Sequence, residues 1–225
     1  MNLAIRHNPA FAVVRATFSA GEEIRIESGA MMAMSPGISL ESKMEGGLKK
    51  GLMRSVLGGE SLFITKLTAA HEGDWVDAAA RLPGDIAVLD VDGQLNLTKG
   101  SWLLSSAGVE IDTKWGGFKN LVGGEGGFLV HATGNGQAVV SLYGALEIYE
   151  LGAGEQLVLD SGHLVAYEPT LTLTTRKATS GLMQTLKSGE GFVFEFTGPG
   201  KVWAQSRNPG ELITWLTAEL PFSRS

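Results

Sequence analysis

Three glutamates stand 65 residues apart, Glu60, Glu125 and Glu190, each directly after a glycine. Carboxylates related by a three-fold axis would ring that axis and could hold a hard cation through oxygens at about 2.3–2.6 Å, or a basic partner. The simpler reading is that each accepts backbone N–H bonds at its own glycine turn. A second candidate is Asp160-Ser161-Gly162-His163, which carries the residue types of a hydrolase. A nucleophilic Ser needs a sharp turn and a His that converges on it in space. No G-x-S-x-G motif is present, and neighbours on a strand point to opposite faces. The four histidines, His7, His71, His131 and His163, are too far apart in sequence for HxH or HExxH metal motifs. His131 and His163 would be the nearest approach to a cupin-like metal site. With no Cys, thiolate sites, Cys nucleophiles and disulfides are excluded. The run Gly123-Gly124-Glu125-Gly126-Gly127 is not a phosphate loop, since no G-x-x-x-x-G-K-[ST] follows a strand. No catalytic residue, metal ligand or cofactor is therefore assigned.

The remaining chemistry is electrostatic. Lys43, Lys49, Lys50 and Arg54, against Glu45, make a basic segment within which Met44, Leu48, Leu52 and Val56 recur at helical spacing. Such a segment fits an anionic membrane surface or a partner. Gly46, Gly47 and Gly51 each weaken a helix by about 1 kcal/mol relative to Ala, which favours a crossover covering a sheet instead.

The elements that must position these residues repeat along the chain. Gly58-Gly59-Glu60, Gly123-Gly124-Glu125 and Ser188-Gly189-Glu190 close three similar blocks. Apolar columns agree across them, with Met53, Phe118, Met183 and Val56, Leu121, Leu186. A second block precedes each: an alternating strand, a glycine (Gly29, Gly100 or Gly162), then an apolar strand. Loops between preserved blocks absorb the length differences. The chain thus reads as a triplication over about 23–80, 94–150 and 156–208. Closure with pseudo-three-fold symmetry would protect the strand edges. Strand periodicity dominates, as in Leu95/Leu97 and Leu157/Leu159. Near the start, Val14, Ala16 and Phe18 share one face and Phe11 and Val13 the other, with Gly21 ending the strand. Pro209 after Asn208 opens a helix over about 209–220, with Leu212, Ile213, Leu216 and Leu220 as its stripe.

Composition agrees. Among 225 residues, 44% are apolar and 31 are Gly, which fits a packed core with many turns. The net charge of −6 argues against nucleic-acid binding driven by bulk charge. No apolar run is long enough for a membrane-spanning helix. Arg6 and Arg15 superficially suit a presequence, but the strand pattern there is the better reading, and a cytoplasmic protein is expected.

Several blocks, in this order, resemble a known family: Gly29-Ala30-Met31-Met32-Ala33-Met34-Ser35-Pro36, Gly58-Gly59-Glu60-Ser61-Leu62-Phe63, Pro83-Gly84-Asp85-Ile86, Asp160-Ser161-Gly162-His163-Leu164-Val165-Ala166, Gly198-Pro199-Gly200-Lys201-Val202-Trp203 and Gln205-Ser206-Arg207-Asn208-Pro209. They are similar to the mitochondrial-biogenesis (altered inheritance of mitochondria) family, over about residues 5–220. The family more often has Thr where Ser206 stands. The resemblance implies an all-β fold like the tryptophan RNA-binding attenuation protein, of the double-stranded β-helix or sandwich type, repeated within one chain. It transfers no catalytic residue.

The expectation is a single domain over 1–225, all-β, with three internal repeats, pseudo-three-fold symmetry and few short helices, one of them C-terminal. Its expected role is non-enzymatic binding or scaffolding, with self-association as a trimer and no nucleic-acid partner. The alternatives are a cupin-like small-ligand or metal-dependent enzyme and a peripheral membrane organiser using segment 43–54.

Overall fold

The structure, a computed structural model, describes residues 1–43, 64–98, 100–112, 129–176 and 193–220. Its elements run β1 (Asn2–Arg6), β2 (Val13–Thr17), β3 (Glu23–Glu27), β4 (Met31–Met34), β5 (Ile38–Lys43), β6 (Ile64–Ala69), β7 (Trp75–Ala79), β8 (Ile86–Thr98) and β9 (Trp102–Ser106). There follow β10 (Val109–Asp112), β11 (Leu129–Ser141), β12 (Leu146–Leu151), β13 (Gln156–Asp160), β14 (Leu164–Tyr167), β15 (Thr172–Arg176), β16 (Val193–Thr197), β17 (Gly200–Gln205) and helix α1 (Pro209–Glu219). The all-β expectation and the C-terminal helix both hold. Glu60, Glu125, Glu190, Lys49, Lys50 and Arg54 lie outside the described residues, as does nearly all of the expected basic segment. Lys43 is the last residue of β5.

Period-2 alternation forms the strands. In β2, Val14 and Ala16 are fully buried, and Phe18 beyond it is nearly so, whereas Phe11 is 70% exposed. In β3, Ile24 and Ile26 point inward between Glu23, Arg25 and Glu27. Every strand pairing between named strands is antiparallel.

One set of pairings places β6 between β3 and β5, the first half of β11 between β8 and β10, and β16 between β13 and β15. Here Glu27 stands opposite Ile64, Thr98 opposite Leu129 and Asp160 opposite Val193. Another set places β7 between β2 and β4, the second half of β11 between the first half of β8 and β9, and β17 between β12 and β14. A bulge interrupts β4, β9 and β14. Met31 opposes Ala78 and Ala33 opposes Asp77; Trp102 opposes Val140 and Leu104 opposes Val139; Leu164 opposes Ala204 and Ala166 opposes Trp203. The residues stepped over are Met32, Leu103 and Val165. A bulge bends its strand and raises the local twist, which lets a sheet turn a corner.

Three apolar clusters fill the interior. Leu103, Leu104, Ile86 and Val139 join the cluster built on Val14, Ile24 and Leu67. Val165 and Ala166 join the one built on Leu97, Trp102 and Val140, against which Leu146 and Trp203 pack. The third, built on Leu159, Leu164 and Phe196, takes Leu129 from β11.

Helix α1 starts as its residues dictate: Asn208 accepts a hydrogen bond from Gly210 N at 2.8 Å, and Pro209 fills the first turn. Its stripe behaves differently from expectation. Leu212 and Leu216 are half-buried, while Ile213 is 63% and Leu220 42% exposed, so the apolar spacing forms the helix without burying it. Among the described residues, no helix is long and apolar enough to cross a membrane.

Candidate functional site: an open sheet junction

The polar residues that invite a catalytic reading are engaged in holding turns. His163 closes a 3-10 turn, Ser161–His163, and its Nδ1 lies 2.7 Å from the Gln205 carbonyl. A carbonyl only accepts, so this nitrogen carries the proton. Gln205 returns a bond from Nε2 to Gly162 O at 3.0 Å, and Asp160 accepts from Gly162 N at 2.8 Å. Asp160 thus caps its own turn, and the Asp160–His163 motif is clamped to the Gln205–Asn208 motif. A Ser-His-Asp set is approached at Ser35, Asp74 and His71, but in the wrong order. The Ser35 hydroxyl donates to Asp74 at 2.6 Å, and His71 Nδ1 lies 3.5 Å from the same carboxylate. With the acid in the middle, the imidazole has no route to the hydroxyl proton. Asp74 also accepts from His71 N at 2.8 Å. The Ser35 hydroxyl first, and then this backbone N–H, hold its carboxyl below the usual carboxylate range. His131 Nδ1 meets Asn96 Oδ1 at 2.7 Å, beside Gln94. Those amides are weak metal ligands, and among the described residues no group of three metal-ligating side chains converges.

Among the described residues, a charge cluster joins β1, β2 and β7. Arg15 donates twice to Asp77, at 2.8 Å each, and Arg6 adds a contact at 2.8 Å. Asp77 is only 3% exposed. Arg15 hydrogen bonding, followed by Arg6, holds its carboxyl below the ordinary range against the opposing effect of burial. This ion cluster binds three strands together, although Arg6 Nε is buried without a hydrogen-bond partner among the described residues.

Backbone edges and apolar surface are left open as well. On the side away from β11, β9 receives β3; on the side away from β17, β14 receives β8. On the side away from β7, β4 has no hydrogen-bonded neighbour among the described strands, nor has β13 on the side away from β16. Exposure follows pairing. Counting from Gly29, Gly100 and Gly162, Met31 shares a column with Trp102 and Leu164, and Met32 with Leu103 and Val165. The four partners are at most 2% exposed, whereas Met31 is 38% and Met32 55% exposed. On β13, Val158 is 54% exposed, while Asn96 in its column is 4%. The sequence flagged these residues as strand, but nothing local distinguishes an apolar edge that is covered from one that is not. Apart from Lys43 at the end of β5, the expected basic surface 43–54 and the glutamate triplet fall outside the described residues, so the structure neither brings them together nor separates them.

The chain is similar to known proteins along nearly its whole length. The chain is 29% identical, over 99% of its length and 92% of the relative's, to a protein of Streptococcus pyogenes serotype M6 named as uncharacterised. It is also similar to the X-ray crystal structure of the protein SPYM3_0169 from Streptococcus pyogenes. That match has a TM-score of 0.79 and 26% identity, and covers 97% of this chain and 99% of that one. A family model described as mitochondrial biogenesis AIM24 matches residues 3–207, the stretch that contains every described strand but the first residue of β1, and the chain belongs to that family.

Proposed function

We propose that this chain is a non-enzymatic scaffold, a single domain made of three copies of one β unit in the double-stranded β-helix manner, that works by assembling with further copies of itself. The observation that carries the proposal is the bulge. Measured from Gly29, Gly100 and Gly162, the residue stepped over is in every case the third after the glycine: Met32, Leu103 and Val165. The pairings Glu27–Ile64, Thr98–Leu129 and Asp160–Val193 keep the same count, two residues before the glycine. Shared register and shared irregularity support descent from one ancestral unit, since a bulge is a specific local feature.

On this reading each unit opens one strand earlier than the sequence blocks suggest. β12 pairs with β17, so 146–151 goes with the third unit rather than the second. Likewise β2 pairs with β7, and the first half of β8 with β11. Support for a non-catalytic role comes from His163 Nδ1, Asp160 Oδ1 and Asp74 Oδ1, which are engaged in local structural hydrogen bonds. Support for assembly comes from the open edges of β4 and β13, which an isolated chain would leave as sites for aggregation.

Light scattering on the purified chain after size exclusion tests the proposal. The expected mass is a whole multiple, greater than one, of the chain's 23.8 kDa. A monomer at every accessible concentration overturns it. Stoichiometric iron, manganese, zinc or nickel in the purified protein would replace it with the metal-enzyme reading.

A further inference from the structure

The two occupied junctions specify what the third should receive. At the first, Ile26 of β3 lies opposite Leu104 of β9, and Arg25 opposite Ser105. At the second, Leu97 of β8 lies opposite Ala166 of β14, and Asn96 opposite Tyr167. Each time, the residue three before one glycine faces the residue four after the next. Carried to the remaining edges, the rule sets Leu159 of β13 opposite Ala33 of β4, and Val158 opposite Met34. Both edges are antiparallel acceptors of the same kind, and both are apolar. Within one chain they are not paired among the described residues, and Met32 and Val158 stay more than half exposed.

We infer that β13 of one copy adds, antiparallel, to β4 of a second copy, with Leu159 opposite Ala33 and Val158 opposite Met34. The inference rests on the self-assembly reading above and names its surface. The contact is head-to-tail: the surface given differs from the surface received, so assembly ends only when a ring closes. It also completes the third core. Leu103 and Leu104 from the next unit close the first cluster, and Val165 and Ala166 close the second. Met32 and Ala33 hold those columns and would cover Leu157 and Leu173, which lie half-buried against the third. Exposed main-chain N–H and C=O groups on both edges find partners in the same step.

The test uses two single variants of the full chain. Met32→Glu blocks the β4 end and Val158→Glu blocks the β13 end. Both sites are exposed in the single chain, so folding should survive, and circular dichroism checks this. Each variant alone should fall from the wild-type mass to 23.8 kDa by light scattering. Mixed in equal amounts, they should form a 1:1 dimer, because each retains the one end that the other lacks. Variants that keep the wild-type mass, or a mixture that stays monomeric, overturn the inference. If the wild type assembles but both variants still do, only this surface is wrong; if the wild type is a monomer, the self-assembly reading fails with it.

Discussion

Arg15 and Asp77 face each other across β2 and β7 through two hydrogen bonds of 2.8 Å, while the same guanidinium lies 3.8 Å from the Trp75 ring centroid. Such a fork fixes direction as well as charge, and the ring fixes the plane of the fork. Arg6, from β1, reaches the same carboxylate, so one buried acid secures three strands. Asp77→Ala removes the acceptor and leaves two cations side by side. Because Arg15 and Arg6 are 34% and 40% exposed, both can turn toward water. The expected loss is therefore about 2–3 kcal/mol, in the range of hydrogen bonds to charged groups, measured by urea denaturation.

Acid should act through the same carboxylate. Asp77 and Asp74 are both depressed in the fold, so each contributes stability above the unfolded carboxylate value of ~3.9. As pH falls below that value, the unfolded chain takes up protons that the folded chain does not, and the contribution is lost as pH passes through the folded value. Urea midpoints of the wild type should stay level toward ~pH 5 on this account and then fall. In Asp77→Asn the neutral-pH midpoint should be lower and the acid decline shallower, since one linked proton is gone. An unchanged slope in that variant would remove Asp77 from the explanation.

Much of the local structure can be read from the sequence. Val14, Ala16 and Phe18 alternate against Phe11, and the burial follows that parity. Asn208 and Pro209 announce α1 correctly. Other features fail for a definite reason: period-2 patterning reports which face a residue takes within its own strand, not which strand edges meet. Leu146 to Glu150 reads as the tail of the second copy because its pairing with β17 is set some 55 residues downstream. Met31 and Trp102 look alike as apolar residues after a glycine, yet one is half-open and the other fully enclosed. The tie from Arg15 to Asp77 spans 62 residues and has no motif to mark it. The candidate site was invisible for the same reason, since an open edge is a fact about neighbours.

Trp102 offers a measurement of that difference. Its ring is fully buried in the second cluster with Leu97, Val140 and Val165. Trp102→Ala should cost about 3–5 kcal/mol, the usual range for an emptied aromatic site. Its Nε1 is buried with no hydrogen-bond partner among the described residues. Trp102→Phe gives up volume but also removes that unpaired donor, so its cost should stay below about 2 kcal/mol. Met31→Ala in the same column should cost less than about 1 kcal/mol in the monomeric Met32→Glu background. Thermal unfolding of the three variants ranks them, and equal losses at Met31 and Trp102 would mean that β4 is covered within the single chain.

The Pro83-Gly84-Asp85-Ile86 motif has a structural use that separates two glycine effects. Gly84 forms a bridge with Gly144, and a Cβ on Gly84 would sit 1.8 Å from Leu142 O and 2.8 Å from Gly144 N. The flanking backbone is tied across the same gap by Gly144 N to Pro83 O at 3.2 Å, Asp85 N to Gly144 O at 3.0 Å and Leu142 N to Asp85 O at 2.9 Å. A methyl group must push these segments apart and stretch those bonds. Gly93 is the contrast: its φ is +83°, but nothing lies within 4 Å of its would-be Cβ. Gly93→Ala should therefore cost only the left-handed backbone penalty, roughly 1–2 kcal/mol. Gly84→Ala combines overpacking, about 1–3 kcal/mol, with weakened hydrogen bonds at about 1 kcal/mol each, and should exceed ~3 kcal/mol. Hydrogen exchange distinguishes the two as well: the Asp85 and Leu142 amides should lose protection in Gly84→Ala and keep it in Gly93→Ala. If both variants cost the same and neither changes exchange, the close approach of these two segments is not what the motif preserves.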